Sequence, residues 1–416
     1  MTAPGFNPRP PWRGARVVLG VTGGIAAYKA VQLARDLTRS GAEVDVIMTS
    51  GGLRFVQPLT FEAVTGRPVH TDLWASPTEG GAARHIELGR NADAVCVAPA
   101  TANFLARAAQ GRADDLLTAT LLVTRAPVLL CPAMNDLMYT HPQVQRNLAH
   151  LRDELSYRLV GPGVGPLAHG EDEGPGRMIE PDRILEHVGR ALGADDAFRD
   201  RTVLITAGPT REPLDAVRYV GNRSSGRMGF ALARAAWRRG ARVILVTGPV
   251  RLDDPEGAEV ERVETARDME AAVRRHLPGS DVSIFAAAVS DYRPSEPVAG
   301  KLKRSREGKR LTLELEVNPD VALDTRQLRR KKSVAVGFAL ETADLVENAL
   351  SKLTAKGFDL IVANAVADDS GFESDTNRVT LVGPGGDREA LPLLSKDAVA
   401  ERILDRVAER LRAGAQ

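Results

Sequence analysis

Cysteine is nearly absent: the 416 residues hold only Cys96 and Cys131. Both lie inside apolar runs, DAVCVAPA and VLLCPAM, so neither reads as half of a secreted disulfide framework and both are expected as buried free thiols. Charge of one sign is equally scarce, because 55 basic residues face 54 acidic ones and leave a net charge of +1. That balance excludes a protein whose whole surface attracts nucleic-acid backbones, while leaving room for a local basic pocket. No apolar run reaches the length of a membrane span, and the opening MTAPGFNPRPPWRG has no signal-peptide core. A soluble, cytoplasmic protein with residues 1–14 disordered is the expectation. Also missing are the G-x-G-x-x-G spacing of a dinucleotide site and a Tyr-x-x-x-Lys pair after a strand, which argues against a tandem nicotinamide-dependent reductase.

What is present is too long for one ordinary domain, with 43% hydrophobic residues from which to build cores. The chain starts the same kind of unit twice. Near residue 17 an apolar strand (17–21) runs into Thr22-Gly23-Gly24-Ile25-Ala26, a helix with apolar residues at Ala30, Leu33, Ala34 and Leu37, and a second strand (43–48). Near residue 203 a strand (203–206) is followed by a polar loop, a helix (226–239) and a strand (242–247); LARDLTRSGAEVDVIMT and LARAAWRRGARVILVTG share one layout. The fold class is therefore α/β, with two Rossmann-like domains and mainly parallel sheets, each with a ligand crevice at the carboxyl ends of its strands. The domains are placed at 15–192 and 201–416, joined by a polar linker over 193–200. A basic segment, 299–333, contains LTLELEV, which reads as a strand or hairpin arm.

The loop Asn222-Arg223-Ser224-Ser225-Gly226-Arg227 is long and polar, and it sits where a helix start presents unpaired N–H groups, which favours a phosphate. In the first domain the Gly23-Gly24-Ile25-Ala26 turn suits a single phosphate, and Thr49-Ser50 and Pro99-Ala100-Thr101-Ala102-Asn103 follow strands at the same sheet edge. Each piece alone is equally a turn. His85 reads as structural or catalytic, and Asn135, in Pro132-Ala133-Met134-Asn135, as a helix cap or a site residue. The glycine- and acid-rich stretch from Leu167 to Met178, which includes His169, has a lid's composition. In the second domain Lys352 and Lys356, four residues apart, read by themselves as a solvated helix face and Lys301 as part of a basic loop, while Asp291 and Asp320 end or follow strands where a base, ribose or Mg2+ could be read.

At these residues the chain resembles known families. GGIAAYK, HIEL, PATAN, PAMNDLMY and GEDEGPGRM are similar to the flavin-dependent cysteine decarboxylases. AGPTREPLDAVRYVGNRSSGRMGF, AAAVSDYR, Lys301-Leu302-Lys303, Asn318-Pro319-Asp320, GFALET and Lys352-x-x-x-Lys356-x-x-Asp359 resemble the phosphopantothenate-cysteine ligases. The resemblance spans about residues 15–411 in unbroken order.

It implies FMN in the first domain, near Gly24, Ile25, Ala26, Ser50, Ala100, Thr101, Ala102 and Asn103, with His85 and Asn135 at the active site. In such enzymes the flavin oxidises the substrate's thiol to a thioaldehyde, which gives the carbanion left by decarboxylation an electron sink. The family's lid cysteine is replaced here by His169. An imidazolium is a competent acid near neutrality, so His169 either fills that role or leaves a flavin-binding half that serves assembly. A second departure is Asp114 in Ala113-Asp114-Asp115-Leu116, where relatives carry asparagine. For the second domain the resemblance implies CTP, contacted by Phe285, Ala286, Ala287, Asp291, Lys301, Pro319, Asp320, Val321, Ala322, Phe338, Lys352 and Lys356. Asp291 holds Mg2+ and Asn222 holds an acyl-cytidylate. The implied substrates are 4'-phosphopantothenate, cysteine and CTP, and the implied assembly is a homo-oligomer, a dodecamer of trimers and dimers, with no nucleic acid or membrane partner.

Overall fold

The computed structural model describes residues 10–74, 83–166, 173–302, 311–341, 345–365 and 374–414. The chain divides into two compact units, Arg9–Gly193 and Ala194–Gln416.

The first unit is built on five parallel strands in the order 2-1-3-4-5 along the sheet: Glu43–Met48, Arg16–Val21, Ala94–Ala100, Val128–Pro132 and Arg158–Leu159. These strands are buried on both faces, so they read as continuous apolar runs rather than alternating ones. The period of two still sorts their side chains. Val17, Leu19 and Val21 face a cluster completed by Ala30, Leu33 and Leu37 of the helix Ala27–Arg39 and by Ile184 and Val188 of the helix Pro181–Leu192. Val18, Val95 and Val97 face the other way, against Leu105, Leu117 and Leu151. Cys96 and Cys131 are buried free thiols, and their mutual contact, with burial, pushes the Cys131 thiol up. Order reaches further toward the N-terminus than expected. Trp12 is buried and its indole N–H donates to the Leu185 carbonyl at 3.2 Å, so residues 10–14 belong to the packed unit.

The second unit carries an eight-stranded sheet. Six strands are parallel, in the order Ala258–Arg262, Arg242–Thr247, Thr202–Ala207, Val282–Phe285, Val334–Glu341 and Leu360–Ala365; Val379–Val382 and Arg388–Ala390 add an antiparallel edge. The helix Arg227–Arg238 packs against Lys396–Ala413 through Leu232, Ala236, Val399 and Ile403. A buried ion pair, Arg238 to Glu401 at 2.7 Å, joins the same two helices. Two antiparallel ribbons stand apart from the sheet: Arg211–Pro213 with Tyr219–Gly221, and Tyr292–Pro294 with Leu315–Val317. The last strand is the part of LTLELEV that pairs, as a hairpin arm. Most of the stretch read as a linker, residues 194–200, falls within this unit. Ala197 and Phe198 enter its core, and the Asp195 amide donates to the Arg239 carbonyl at 3.0 Å.

Candidate functional sites

A cavity of about 660 Å3 opens at the carboxyl ends of the first unit's strands. Its floor is the turn Thr22, Gly23, Gly24, Ile25 and Ala26, which leads into a 13-residue helix and so presents unpaired N–H groups. Close approach of two backbones explains the glycines. A Cβ on Gly23 would lie 2.7 Å from the Gly51 carbonyl carbon. Thr22 ties the strand ends together: its hydroxyl donates to the Pro99 carbonyl at 2.7 Å and accepts the Thr101 amide at 3.2 Å. Thr101 then caps the helix Ala102–Ala109 through the Phe104 amide. Ser50, Thr101, Ala102 and Asn103 line the cavity as expected. Ala100 does not; it is buried in its strand, where its carbonyl accepts the Ala133 amide.

Asn135 lines the cavity and is also a helix cap. Its Oδ1 accepts the Leu137 amide at 3.0 Å, which fixes the amide plane. Among the described residues its Nδ2 has no partner. His85, expected with Asn135 at the active site, lies on the helix Arg84–Asn91 and is not among the cavity's lining residues. Its Nδ1 is buried without a hydrogen-bond partner. His169 falls outside the described residues.

Three cations in the lining were missed from the sequence: Lys29, Arg107 and Arg177. Lys29 bonds Glu180 at 2.9 Å and Arg177 bonds the same carboxylate oxygen at 2.5 Å. The Lys29 contact is the main cause that holds the Glu180 carboxyl below its usual range. This clasp anchors the base of a two-stranded ribbon, Gly163–Pro166 with Glu173–Arg177, the second strand of which belongs to the lid-like stretch. Gly176, at φ +144°, passes so near the chain that a Cβ there would sit 2.2 Å from the Met134 carbonyl oxygen. Arg107 pairs with both Asp114 and Asp115, and Arg112 with Asp114. Asp114, the unexpected carboxylate, is thus neutralised, chiefly by Arg107, which lowers its pKa. Arg107 follows Asn103 by one helical turn, a spacing that puts both on one face.

In the second unit the polar loop sits at the start of the helix Arg227–Arg238, with Gly226 as its N-cap at φ +75°. Hydrogen bonds connect the expected site residues. The Asn222 Nδ2 donates to the Val289 carbonyl at 2.8 Å, the Asn318 amide to the Asp291 carbonyl at 2.9 Å, and the Asn318 Nδ2 to the Ser290 carbonyl at 2.9 Å. Asp320 caps the short helix Val321–Asp324 and forms an ion pair with Lys356 at 2.7 Å. Val321 and Ala322 are buried. Lys352 is exposed on the helix Leu345–Lys356. Ala286 and Ala287 follow the strand Val282–Phe285 and donate to the Thr206 backbone and hydroxyl. Phe285 stacks near Phe358, 5.8 Å between centroids, with the Arg329 guanidinium over both rings. Phe338 packs on the opposite face of the sheet, so a ligand touching both phenylalanines must lie across the strand ends. The Asp291 carboxylate has no side-chain partner among the described residues, and those residues contain no cluster of three or more His, Cys, Asp or Glu able to hold a metal by themselves. One free carboxylate fits a Mg2+ that arrives on a triphosphate and keeps most of its own ligands.

The fold and the two sites define a class: a tandem α/β protein with a nucleotide-sized cavity in its first unit and a polar, anion-favouring loop cluster at the strand ends of its second. A flavoprotein family model matches residues 8–193, and a model described as the DNA/pantothenate metabolism flavoprotein C-terminal domain matches residues 198–411. The coenzyme A biosynthesis bifunctional protein CoaBC of Vibrio cholerae is 44% identical over 399 residues, covering 96% of this chain and 99% of that protein. The proteins of that name from Mycobacterium bovis and Bacillus subtilis are 45% and 44% identical, each over 94% of this chain and 96% of the relative. The chain belongs to the coenzyme A biosynthesis bifunctional protein family, enzymes with a decarboxylase half followed by a ligase half.

Proposed function

We propose that the second unit joins 4'-phosphopantothenate to cysteine using CTP, and that the first, with FMN, decarboxylates the product to 4'-phosphopantetheine. Joining an acid to an amine requires a leaving group better than oxide. Attack of the substrate carboxylate on the α-phosphate of CTP forms an acyl-cytidylate and releases pyrophosphate; the cysteine amine then displaces CMP. Lys301, Lys352 and Lys356 neutralise the triphosphate, Asp291 holds its Mg2+, and Asn222 orients the acyl-cytidylate. Phe285 to Ala287, Pro319 to Ala322 and Phe338 surround the nucleotide.

The observation that carries the decarboxylase reading is Asn135, whose pinned amide leaves its Nδ2 donors to the cavity. There they hold the substrate carboxylate. The turn of Gly24, Ile25 and Ala26 takes the FMN phosphate, and Ser50 and Thr101 to Asn103 flank the cofactor, with Ala100 contributing backbone alone. When bound, FMN supplies the two-electron oxidation that makes carbon dioxide loss possible. His85 lies outside the cavity of its own copy, which suits a site completed by another copy in a homo-oligomer built from trimers and dimers. Exposed Ile25, Tyr28, Leu137 and Met138 near the first site, and Val217, Tyr219, Tyr292 and Val317 on the ribbons, support such contacts. A cytoplasmic location suits these substrates.

The test is direct. Purified protein should show oxidised-flavin absorbance, release pyrophosphate from CTP only when 4'-phosphopantothenate is present, and evolve carbon dioxide from 4'-phosphopantothenoylcysteine. A colourless protein sinks the flavin half. A yellow protein that evolves no carbon dioxide assigns the first unit to assembly rather than turnover.

A further inference from the structure

We infer that Asp215 is a positioning residue of the ligase, a buried carboxylate that fixes the backbone from which Lys301 reaches the triphosphate; the inference rests on the CTP reading above. Its side chain has no exposed surface and accepts five hydrogen bonds. Oδ1 takes the Val217 amide at 2.8 Å and the Arg218 amide at 2.7 Å; Oδ2 takes the Arg218 guanidinium at 3.0 and 2.5 Å and the Leu302 amide at 3.1 Å. The Arg218 contact is the main cause that drives the Asp215 carboxyl far below its usual range. A group so held stays ionised throughout the physiological range.

The bond to Leu302 is the informative one, because it spans 87 residues and ends one residue after Lys301. The Leu302 carbonyl is held as well, by the Arg218 guanidinium at 3.0 Å. Both polar groups of that residue's backbone are therefore clamped by one Asp–Arg pair. A third tie, from the Val298 amide to the Leu214 carbonyl at 3.1 Å, docks the segment just before it on the same turn. Residues 295–301 form no regular element, and Lys301 is exposed. Without the clamp its four-carbon stem would start from an unfixed backbone. The turn that supplies the clamp connects the strands Arg211–Pro213 and Tyr219–Gly221, and the second of these leads directly into Asn222. Asp215 thus ties the residue that orients the acyl-cytidylate to the residue that meets the phosphates.

An Asp that merely supported the fold would weaken nucleotide binding independently of Lys301. One that acts through Lys301 cannot. Calorimetric titration of CTP into the full-length, flavin-loaded protein should show Asp215→Asn and Lys301→Gln each weakening binding by at least about tenfold. The double variant should bind within about twofold of the weaker single variant. Arg218→Lys, which keeps the cation beside Asp215 but loses the fork that reaches the Leu302 carbonyl, should weaken CTP similarly, and it decides the matter alone if Asp215→Asn does not fold. Additive losses in the double variant, or CTP binding unchanged by Asp215→Asn or by Arg218→Lys, overturn the proposal. Wild-type protein that binds no CTP overturns the nucleotide reading along with it.

Discussion

Asn135 performs two tasks with the two ends of one amide, and the tasks can be separated. Its oxygen caps the helix Asp136–Thr140, a role aspartate fills as well as asparagine. Its nitrogen has no partner among the described residues, and in the proposed site aspartate would present a like charge to the substrate carboxylate. Asn135→Asp should therefore keep flavin binding and thermal stability while decarboxylation falls by about 10²-fold or more, measured as carbon dioxide release. The Lys29–Glu180–Arg177 clasp yields a second expectation. The Glu180 pKa is lowered in the folded protein, so its contribution to stability is complete above the ordinary value of 4.5 and fades as pH falls through the folded-state value. Wild type should melt above Glu180→Gln at neutral pH, and the two melting curves should converge as the pH is taken below 4.5. Much of the first site was legible, because glycine turns and small polar residues directly follow buried strands. Lys29, Arg107 and Arg177 were not singled out, since a cation inside a helix or beside a glycine reads as solvated surface until the fold turns it inward. His85 is harder to read: its motif draws attention to it, but it is not among the residues lining its own unit's cavity.

Elements were easiest to read where burial was complete. The strands Glu43–Met48 and Arg242–Thr247 occur at the expected residues, because an apolar run closed by a turn admits few alternatives. The segment 194–200 is hard to read for the converse reason. Its composition is charged, and its apolar packing rests on Ala197 and Phe198. Gly226 tests the second site at this scale. It begins the helix Arg227–Arg238 in the left-handed region, and a Cβ there would lie 2.8 Å from a Val250 methyl. Gly226→Ala should cost about 1–2 kcal/mol from backbone strain alone. Because the same turn carries Asn222 to Ser225, pyrophosphate release should fall while the flavin spectrum stays unchanged; an unaltered ligase rate would detach the loop from catalysis.

For the whole molecule, the decisive feature is that neither core borrows from the other. Among the described residues, the clusters that fill the first unit draw on residues between Trp12 and Leu192, and those of the second on residues from Ala197 onward. Each unit also contains its own proposed ligand groups. A substitution confined to one site should therefore leave the other reaction alone: Lys301→Gln should abolish CTP-dependent ligation while decarboxylation of supplied 4'-phosphopantothenoylcysteine continues at the wild-type rate. The same independence predicts the outcome of cutting the chain. Because 194–200 packs as part of the second unit, a break placed after residue 201 would expose the Phe198 pocket and destabilise the ligase, whereas a break after Gly193 leaves both cores whole. Separately produced residues 1–193 should be yellow and decarboxylate, and residues 194–416 should ligate. A ligase fragment starting at residue 202 should melt below one starting at 194, and equal melting temperatures would show that Phe198 contributes nothing to that core.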